Sequence, residues 1–116
     1  MVKNNIEHLI PENVITCEPL GYRNMICMIK NSQKVLTDSG GVQKEAYILK
    51  KPCITMRGET EWTETLEDNW NVLVNYDFEL LIEKVNENFI LGKHSDFYGD
   101  GMASNNIVRI IMEKTV

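Results

Sequence analysis

Short apolar segments alternate with segments of helical periodicity along this chain of 116 residues. The apolar segments do not alternate with polar positions, as is typical of strands covered on both faces. The helical segments carry apolar residues three and four positions apart. The pattern predicts strands at Val14–Cys17, Lys34–Asp38, Cys53–Met56 and Asn71–Val74, and helices at Tyr22–Lys30, Val42–Leu49 and Glu61–Asp68. Two further helices are expected, a long one capped by Asp77 and a final one capped by Ser104.

Strands separated by helices predict βαβ crossovers and a mostly parallel sheet, which defines an α/β fold. We expect a Rossmann-like three-layer sandwich with at least four parallel strands. The segment Gly92–Met102 contains three glycines and several aromatic residues, and it predicts a structured loop before the last helix. An open α/β sheet binds ligands at the carboxyl ends of its strands. Each strand–helix junction is therefore a candidate site.

Composition excludes several classes of function. A hydrophobic content of 43% and a charged content of 25% are typical of a globular protein. The net charge of −5 argues against a nucleic-acid partner. It does not argue against a nucleotide, because a phosphate site needs only a local group of N–H donors. The absence of a long apolar run or of a signal-peptide pattern leads us to expect no membrane partner and a cytoplasmic protein.

The three cysteines do not have the spacing of a metal or redox site. Cys17, Cys27 and Cys53 each lie in an apolar stretch, and we expect buried, reduced thiols. No other group of residues has metal-ligand spacing. No metal and no cofactor is therefore expected.

The junction with the clearest chemical signal is VLTDSGGVQKEA, residues 35–46. Ser39 can cap the helix that begins there, and Gly40 and Gly41 lack the side chains that would keep a ligand from the backbone. The exposed N–H groups and the positive end of the helix dipole suit a diphosphate. Glu45 lies one turn further along, on the face of Gly41, where a carboxylate suits a ribose diol. From these residues alone a plain βα turn is an equally good interpretation, and a glutamate such as Glu45 is more often a solvated helix residue.

A resemblance to a known family changes this balance. The segment VLTDSGGVQKEAYILKKPCITMRGETEW resembles the signature of the non-hydrolysing UDP-N-acetylglucosamine 2-epimerases. Upstream, CEPLGYRNMICMIKNS resembles the family segment around the uracil pocket. Downstream, NWNVLV and FYGDGMAS resemble the end of family chains. The resemblance implies that residues 1–116 are a single, partial UDP-binding C-terminal domain, the incomplete C-terminal lobe of a two-lobe enzyme similar to GT-B glycosyltransferases.

The resemblance also implies roles for individual residues. Ser39, Gly40 and Gly41 would contact the diphosphate, and Glu45 would accept hydrogen bonds from the ribose hydroxyls. The uracil would be framed by Pro19, Leu20 and Tyr22, with Met25 at a position where an aromatic residue is common. Arg57 follows the third predicted strand and is either a phosphate-side cation or an exposed loop arginine.

One departure from the family pattern leaves the sugar open. Many family members have an arginine followed by proline where this chain has Glu61-Trp62-Thr63. The ETEW form is similar to a subgroup that includes archaeal members and epimerases of modified UDP-sugars such as diacetamido uronates. Trp62 is therefore interpreted in two ways. It marks a subgroup that acts on a different sugar, or, at least as well, it is a hydrophobic residue that packs between the loop and the sheet.

The implied reaction inverts C2 of the sugar. UDP leaves with loss of the C2 proton, and it adds back after reprotonation on the other face, which requires acid and base groups near C2. Family members supply these groups mainly from regions that do not match this sequence, so no catalytic residue is assigned. Asp38 is expected to close the βα turn, and Glu59, Glu61 and Glu64 to form a solvated acidic loop. His8 and His94 have no evident partner.

Several alternatives stay open at this point. The chain is expected to bind UDP or a UDP-sugar. It is expected to turn over substrate only with a missing N-terminal lobe, or with a partner chain that supplies that lobe. A homo-oligomer is a further expectation that stays open. It is otherwise a nucleotide-binding module without catalysis, the lobe of a GT-B glycosyltransferase, or an α/β domain whose site binds nothing. The contiguous SGGVQKEA and RGETEW segments favour the epimerase over the glycosyltransferase.

Overall fold

Three short parallel strands form the sheet of this protein, whose computed structural model describes residues 7–115. The strands follow each other in the order β1-β2-β3, with Leu36, Ile54 and Val72 in register. Their bounds are Val35–Thr37 for β1, Cys53–Thr55 for β2 and Asn71–Leu73 for β3. Each lies inside a segment that the apolar pattern predicts as a strand.

Four α-helices and two 3-10 helices complete the fold. The α-helices are α1 (Tyr22–Asn31), α2 (Gly40–Ile48), α3 (Phe78–Asn86) and α4 (Ala103–Lys114), and the 3-10 helices are Glu7–Leu9 and Thr63–Asn69. Asp77 caps α3 as predicted, because its side chain accepts a hydrogen bond from the N–H of Leu80 at 3.0 Å. Residues 92–102, the late loop, contain no regular element.

Helices lie on both sides of the sheet. Val35 and Cys53 point to the side of α1 and α2, where they form a core with Ile29 and Ala46. Successive strand residues point to opposite faces. Ile54 therefore faces the other side, where α3 packs against β2 and leaves Ile54 only 1% exposed. This is the expected three-layer α/β arrangement with a parallel sheet.

The predicted strand Val14–Cys17 is not formed, so the described residues contain three strands and not at least four. After a turn in which Val14 N donates to Pro11 O, the chain runs on without pairing to the sheet, and Ile15 is 93% exposed. An apolar segment becomes a strand only where a neighbouring strand takes its hydrogen bonds. Val35 N and Thr37 O bond to the β2 side, so the outer edge of β1 has no partner among the described residues.

Three smaller expectations also need correction. The segment predicted as a short helix at Glu61–Asp68 is a 3-10 helix with a kink at Glu67 and Asp68. Ser104 does not cap the last helix, because α4 starts at Ala103 with Met102 as its N-cap. Of the three thiols expected to be buried, only Cys53 is, whereas Cys17 and Cys27 are exposed. Cys17 lies in the unpaired segment before α1, and Cys27 lies on the exposed face of α1.

Helix α4 has an apolar stripe that nothing among the described residues covers. Every residue of α4 is exposed, although Ile107, Ile110 and Ile111 recur with helical spacing. Within residues 7–115, no helix combines the length and the apolar character that crossing a membrane requires.

Candidate functional site

The start of α2 lies at the carboxyl end of β1, as the sequence predicts. Ser39 is the N-cap residue, and its hydroxyl accepts from the N–H of Val42 at 3.5 Å. The N–H of Ser39 donates to Thr37 Oγ1, which fixes the turn. A Cβ at Gly41 would meet only Ser39 Oγ, at 3.9 Å, so the backbone there is open to a ligand. This geometry presents backbone donors and a positive helix end to the outside.

Glu45 lies one turn into α2 and is half-buried. Its side chain makes no hydrogen bond to another residue in the described part of the chain. The carboxylate is therefore free to accept hydrogen bonds from a group bound beside Gly41. Its position relative to Gly41 is the one the sequence predicts from helical spacing.

The carboxyl ends of β1 and β2 meet at the same edge of the sheet. Met56 N donates to Thr37 O, which brings the loop after β2 beside the turn after β1. Arg57 begins this loop and pairs with Glu61, with 3.3 Å between the guanidinium nitrogen and the carboxylate oxygen. The Glu61 carboxylate in turn lies against Gly40, since a Cβ there would overlap Glu61 Oε1. Arg57 is thus held near the start of α2 by an ion pair.

The four residues implied in uracil binding precede or begin α1. Pro19 and Tyr22 are exposed, and Leu20 is half-buried. Leu20 borders a cleft with Asn24 and Met28, whereas Met25 borders a second cleft, which Met28 also lines. The structure therefore brings Ser39, Gly40, Gly41, Glu45 and Arg57 to one edge of the sheet, whereas the four residues implied in uracil binding lie before α1 or in its first turn.

A buried polar network fixes the loop that follows β2. Gln43 is fully buried, and its Oε1 accepts from Thr60 Oγ1 at 2.7 Å and from Asn71 Nδ2 at 3.1 Å. Asn71 also accepts from Thr55 and donates to Thr65. Helix α2, the loop and two strands are thereby joined through side chains. Polar residues inside segments that are expected to be buried indicate a network of this kind. The sequence does not show which of them form hydrogen bonds with each other.

Trp62 closes one side of the start of α2. Its indole Nε1 lies 3.5 Å from the position of a Cβ at Gly40, and it is buried without a partner among the described residues. Lys44 Nζ lies between two rings, 4.8 Å from the centroid of Trp62 and 5.1 Å from that of Tyr98. Trp62 therefore packs between α2 and the late loop rather than between its own loop and the sheet.

Burial also changes the acid–base properties of this corner. Burial of the Tyr98 hydroxyl raises its pKa, and the nearby Glu64 carboxylate raises it further. Glu64 departs from the expected solvated loop, because its Oε2 is buried without a partner among the described residues. Within residues 7–115, no group of three or more His, Cys, Asp or Glu side chains could hold a metal ion.

The late loop is attached to α2 through Tyr47. The Tyr47 hydroxyl donates to Ser95 O at 2.9 Å and accepts from Ser95 N at 3.1 Å. His94, expected to have no partner, stacks on the Tyr47 ring at 4.4 Å and donates from Nε2 to Tyr47 O. The late loop therefore lies beside Lys44 and Trp62, next to the candidate site.

A parallel α/β sheet with an open, serine-capped helix start at its carboxyl edge defines a Rossmann-like fold. The sequence profile of the family described as UDP-N-acetylglucosamine 2-epimerase matches residues 1–112. The chain belongs to this family. A UDP-N-acetylglucosamine 2-epimerase homolog of Methanococcus maripaludis is 44% identical over 101 residues, which are 86% of this chain and 28% of the relative.

Two further relatives bear on the ligand. A UDP-2,3-diacetamido-2,3-dideoxy-D-glucuronate 2-epimerase of Pseudomonas aeruginosa is 43% identical over 98 residues, 81% of this chain and 27% of the relative. The crystal structure of the Methanocaldococcus jannaschii UDP-GlcNAc 2-epimerase in complex with UDP-GlcNAc and UDP superposes with a TM-score of 0.69 at 42% identity. The superposition covers 84% of this chain and 27% of the M. jannaschii chain. The chain thus spans little more than a quarter of the length of these relatives.

Proposed function

We propose that this chain is the UDP-binding C-terminal portion of an epimerase that interconverts UDP-N-acetylglucosamine and UDP-N-acetylmannosamine, or a related modified UDP-sugar. The observation that carries the proposal is the start of α2 at Ser39–Gly41, open at Gly41, with the Glu45 carboxylate, which has no partner among the described residues, one turn further along. The donors there suit a diphosphate and the carboxylate suits a ribose diol. The homologous M. jannaschii enzyme was crystallised with UDP-GlcNAc and UDP.

In this proposal each residue has a definite role. The N–H groups after Ser39 bind the diphosphate, and Arg57 adds a positive charge beside it. Glu45 accepts from the ribose hydroxyls. The backbone around Pro19, Leu20 and Tyr22, together with Met25, holds the uracil, which requires α1 to present these residues to the same ligand.

The chemical step needs acid and base groups, and we do not assign these to any residue of this chain. Epimerisation removes the C2 proton while UDP leaves, and UDP returns after a proton is added to the opposite face of C2. We assign no residue here to either proton transfer. The proposal therefore includes an N-terminal lobe, GT-B-like in arrangement, from a longer form of the chain or from a partner chain. The chain alone then binds UDP without turnover. A cytoplasmic location stays a prediction.

Titration with two ligands tests the proposed site. An open site leaves polar contacts in water, so we expect UDP to bind with an affinity on the order of high micromolar to millimolar, roughly 4–6 kcal/mol. Glu45→Ala should weaken UDP more than pyrophosphate, because only UDP carries the ribose diol. Glu79→Ala, which removes an exposed carboxylate from α3, is the matched control. Calorimetry or NMR titration of the three proteins measures the difference.

Two results would contradict the proposal. Equal losses of UDP and pyrophosphate binding in Glu45→Ala would remove the ribose role from that residue. Exchange of the C2 proton of UDP-N-acetylglucosamine with solvent, measured by NMR with the chain alone, would show that the catalytic groups lie within these 116 residues.

A further inference from the structure

The Glu61 carboxylate lies in the space that a ligand at the start of α2 would use. Gly40 has no side chain, and Glu61 Oε1 lies so close that a Cβ at Gly40 would overlap it. A negative charge is favourable at this end of a helix because the first N–H groups and the helix dipole are positive. In the free chain, therefore, an internal carboxylate meets the charge requirement that the proposed site would offer to a phosphate.

The same carboxylate also engages Arg57. The two side chains pair at 3.3 Å, with 34% of the arginine and 53% of the glutamate side chain exposed. Ion pairs this exposed contribute little to stability. Glu61 is held by one guanidinium and the helix start, and it can swing into solvent without disturbing the buried network beneath the loop.

An unpaired donor lies beside this carboxylate. Trp62 Nε1 is 3.5 Å from the same Cβ position at Gly40, and it has no acceptor among the described residues. A buried N–H without an acceptor is unfavourable. The indole N–H is therefore free to donate to a phosphoryl oxygen that binds at the start of α2.

We propose that Glu61 is the internal occupant of the diphosphate subsite: in the free chain it neutralises the start of α2 and holds Arg57, and the incoming diphosphate displaces it. This inference rests on the proposed UDP site. Once Glu61 has moved out, the diphosphate receives the α2 donors, the Arg57 guanidinium and the indole N–H of Trp62. Glu61 thus weakens ligand binding by competition and stabilises the empty site.

A charge-neutral variant tests the competition. Glu61→Gln keeps the size of the side chain and removes its charge, and we expect it to bind pyrophosphate and UDP about three- to tenfold more tightly than the unchanged chain. The control is Glu59→Gln, which makes the same charge change at an exposed position of the same loop. Trp62→Phe should weaken both ligands because it removes the indole donor. Calorimetric titration of the four proteins gives the affinities.

A thermal unfolding scan without ligand gives a second readout. Since Glu61 stabilises the empty helix start, Glu61→Gln should unfold at a lower temperature than Glu59→Gln while binding ligand more tightly. Equal affinities in the two glutamine variants, or weaker binding in Glu61→Gln, would overturn the inference and leave the UDP site intact. Failure of UDP to bind to any of the four proteins would instead overturn the proposed function.

Discussion

Asn71 is the residue on which the organisation around the site most depends. Its amide accepts from Thr55 at 2.7 Å and donates to Thr65 at 2.9 Å and to Gln43 at 3.1 Å. All four residues are buried, so water cannot replace a lost partner. The network fixes the 3-10 helix and the loop above it, and through them the distance between Trp62 and the start of α2.

Replacing Asn71 should therefore be costly. We expect Asn71→Ala to lower the free energy of unfolding by about 2–4 kcal/mol, because three buried polar groups each lose a hydrogen bond. Asn88→Ala, at an exposed position, should change it by less than about 0.5 kcal/mol. Urea denaturation of both variants measures the difference. Similar values for the two would show that the network is replaced by water.

The buried thiol of Cys53 makes the free energy of unfolding depend on pH in the alkaline range. Burial raises the pKa of its thiol from 9.0 to about 11, although a hydrogen bond with Thr55 lowers it slightly. Between these values the unfolded chain loses the proton while the folded chain keeps it, so the unfolded state binds fewer protons. The contribution is fully present below pH 9 and is lost as the pH rises to about 11.

The expected loss is about 2–3 kcal/mol over this range. The total alkaline loss should be smaller by this amount in Cys53→Ala, which removes the buried thiol, and unchanged in Cys27→Ala, which removes an exposed one. Urea denaturation at several pH values between 8 and 11 tests this directly. A slope that is unchanged in Cys53→Ala would assign the alkaline loss to other groups.

Local signals predict a residue's role only where the role is local. Asp77 is correctly predicted as a cap because its partner, Leu80, is three residues away. Ser104 is not, because the loop before it sets the start of α4 through Asp100, which accepts from Met102 N. The contact between Trp62 and Lys44 joins segments that are distant in sequence. No spacing rule contains that information.

At the scale of elements, the late loop is held in place by the side of α2. Tyr47 is 2% exposed, and its hydroxyl makes two hydrogen bonds to the backbone of Ser95. His94 covers the Tyr47 ring, and Trp70 meets the ring edge-on at 6.1 Å. Tyr47 therefore contributes much of the side-chain contact that orders this irregular segment, together with Trp70, whose indole N–H donates to Lys93 O at 3.3 Å.

Removing a single oxygen should loosen this loop. Tyr47→Phe keeps the aromatic packing and deletes both hydrogen bonds to Ser95, so we expect a loss of about 1–2 kcal/mol. The amide of Ser95 should exchange with solvent much faster, while the amides of β2 stay protected. Tyr76→Phe, at an exposed tyrosine, is the control. Unchanged exchange at Ser95 would show that ring packing alone orders the loop.

The type of an element can be predicted from the sequence where the element is buried on both faces. The segments at β1, β2 and β3 are largely apolar, and helices lie on both sides of the sheet and bury all of β2, so periodicity and environment agree. Val14–Cys17 has the same apolar character but no strand beside it among the described residues. Strand formation depends on that neighbour, which a single segment cannot reveal.

At the scale of the whole molecule, two surfaces have no covering layer among residues 7–115. The outer edge of β1 pairs with no described strand, and Leu36 beside it is 48% exposed. The apolar stripe of α4 is open along its length, with Ile107 and Ile111 each 56% exposed. A helix of 12 residues without packing is only marginally stable in water. Both surfaces fit a chain that spans about 28% of the length of its M. maripaludis relative.

We therefore expect this chain on its own to self-associate through its open apolar surfaces. Exposed apolar stripes and free strand edges favour association, and burying the α4 stripe would also stabilise the helix. The mean mass from light scattering should rise with protein concentration. Ile107→Lys with Ile111→Lys should lower it, because two charges interrupt the stripe. Asn105→Lys with Asn106→Lys adds the same charge to the same helix outside the three-isoleucine stripe, and this variant should associate like the unchanged chain. A monomeric mass at every concentration would show that neither surface needs a partner.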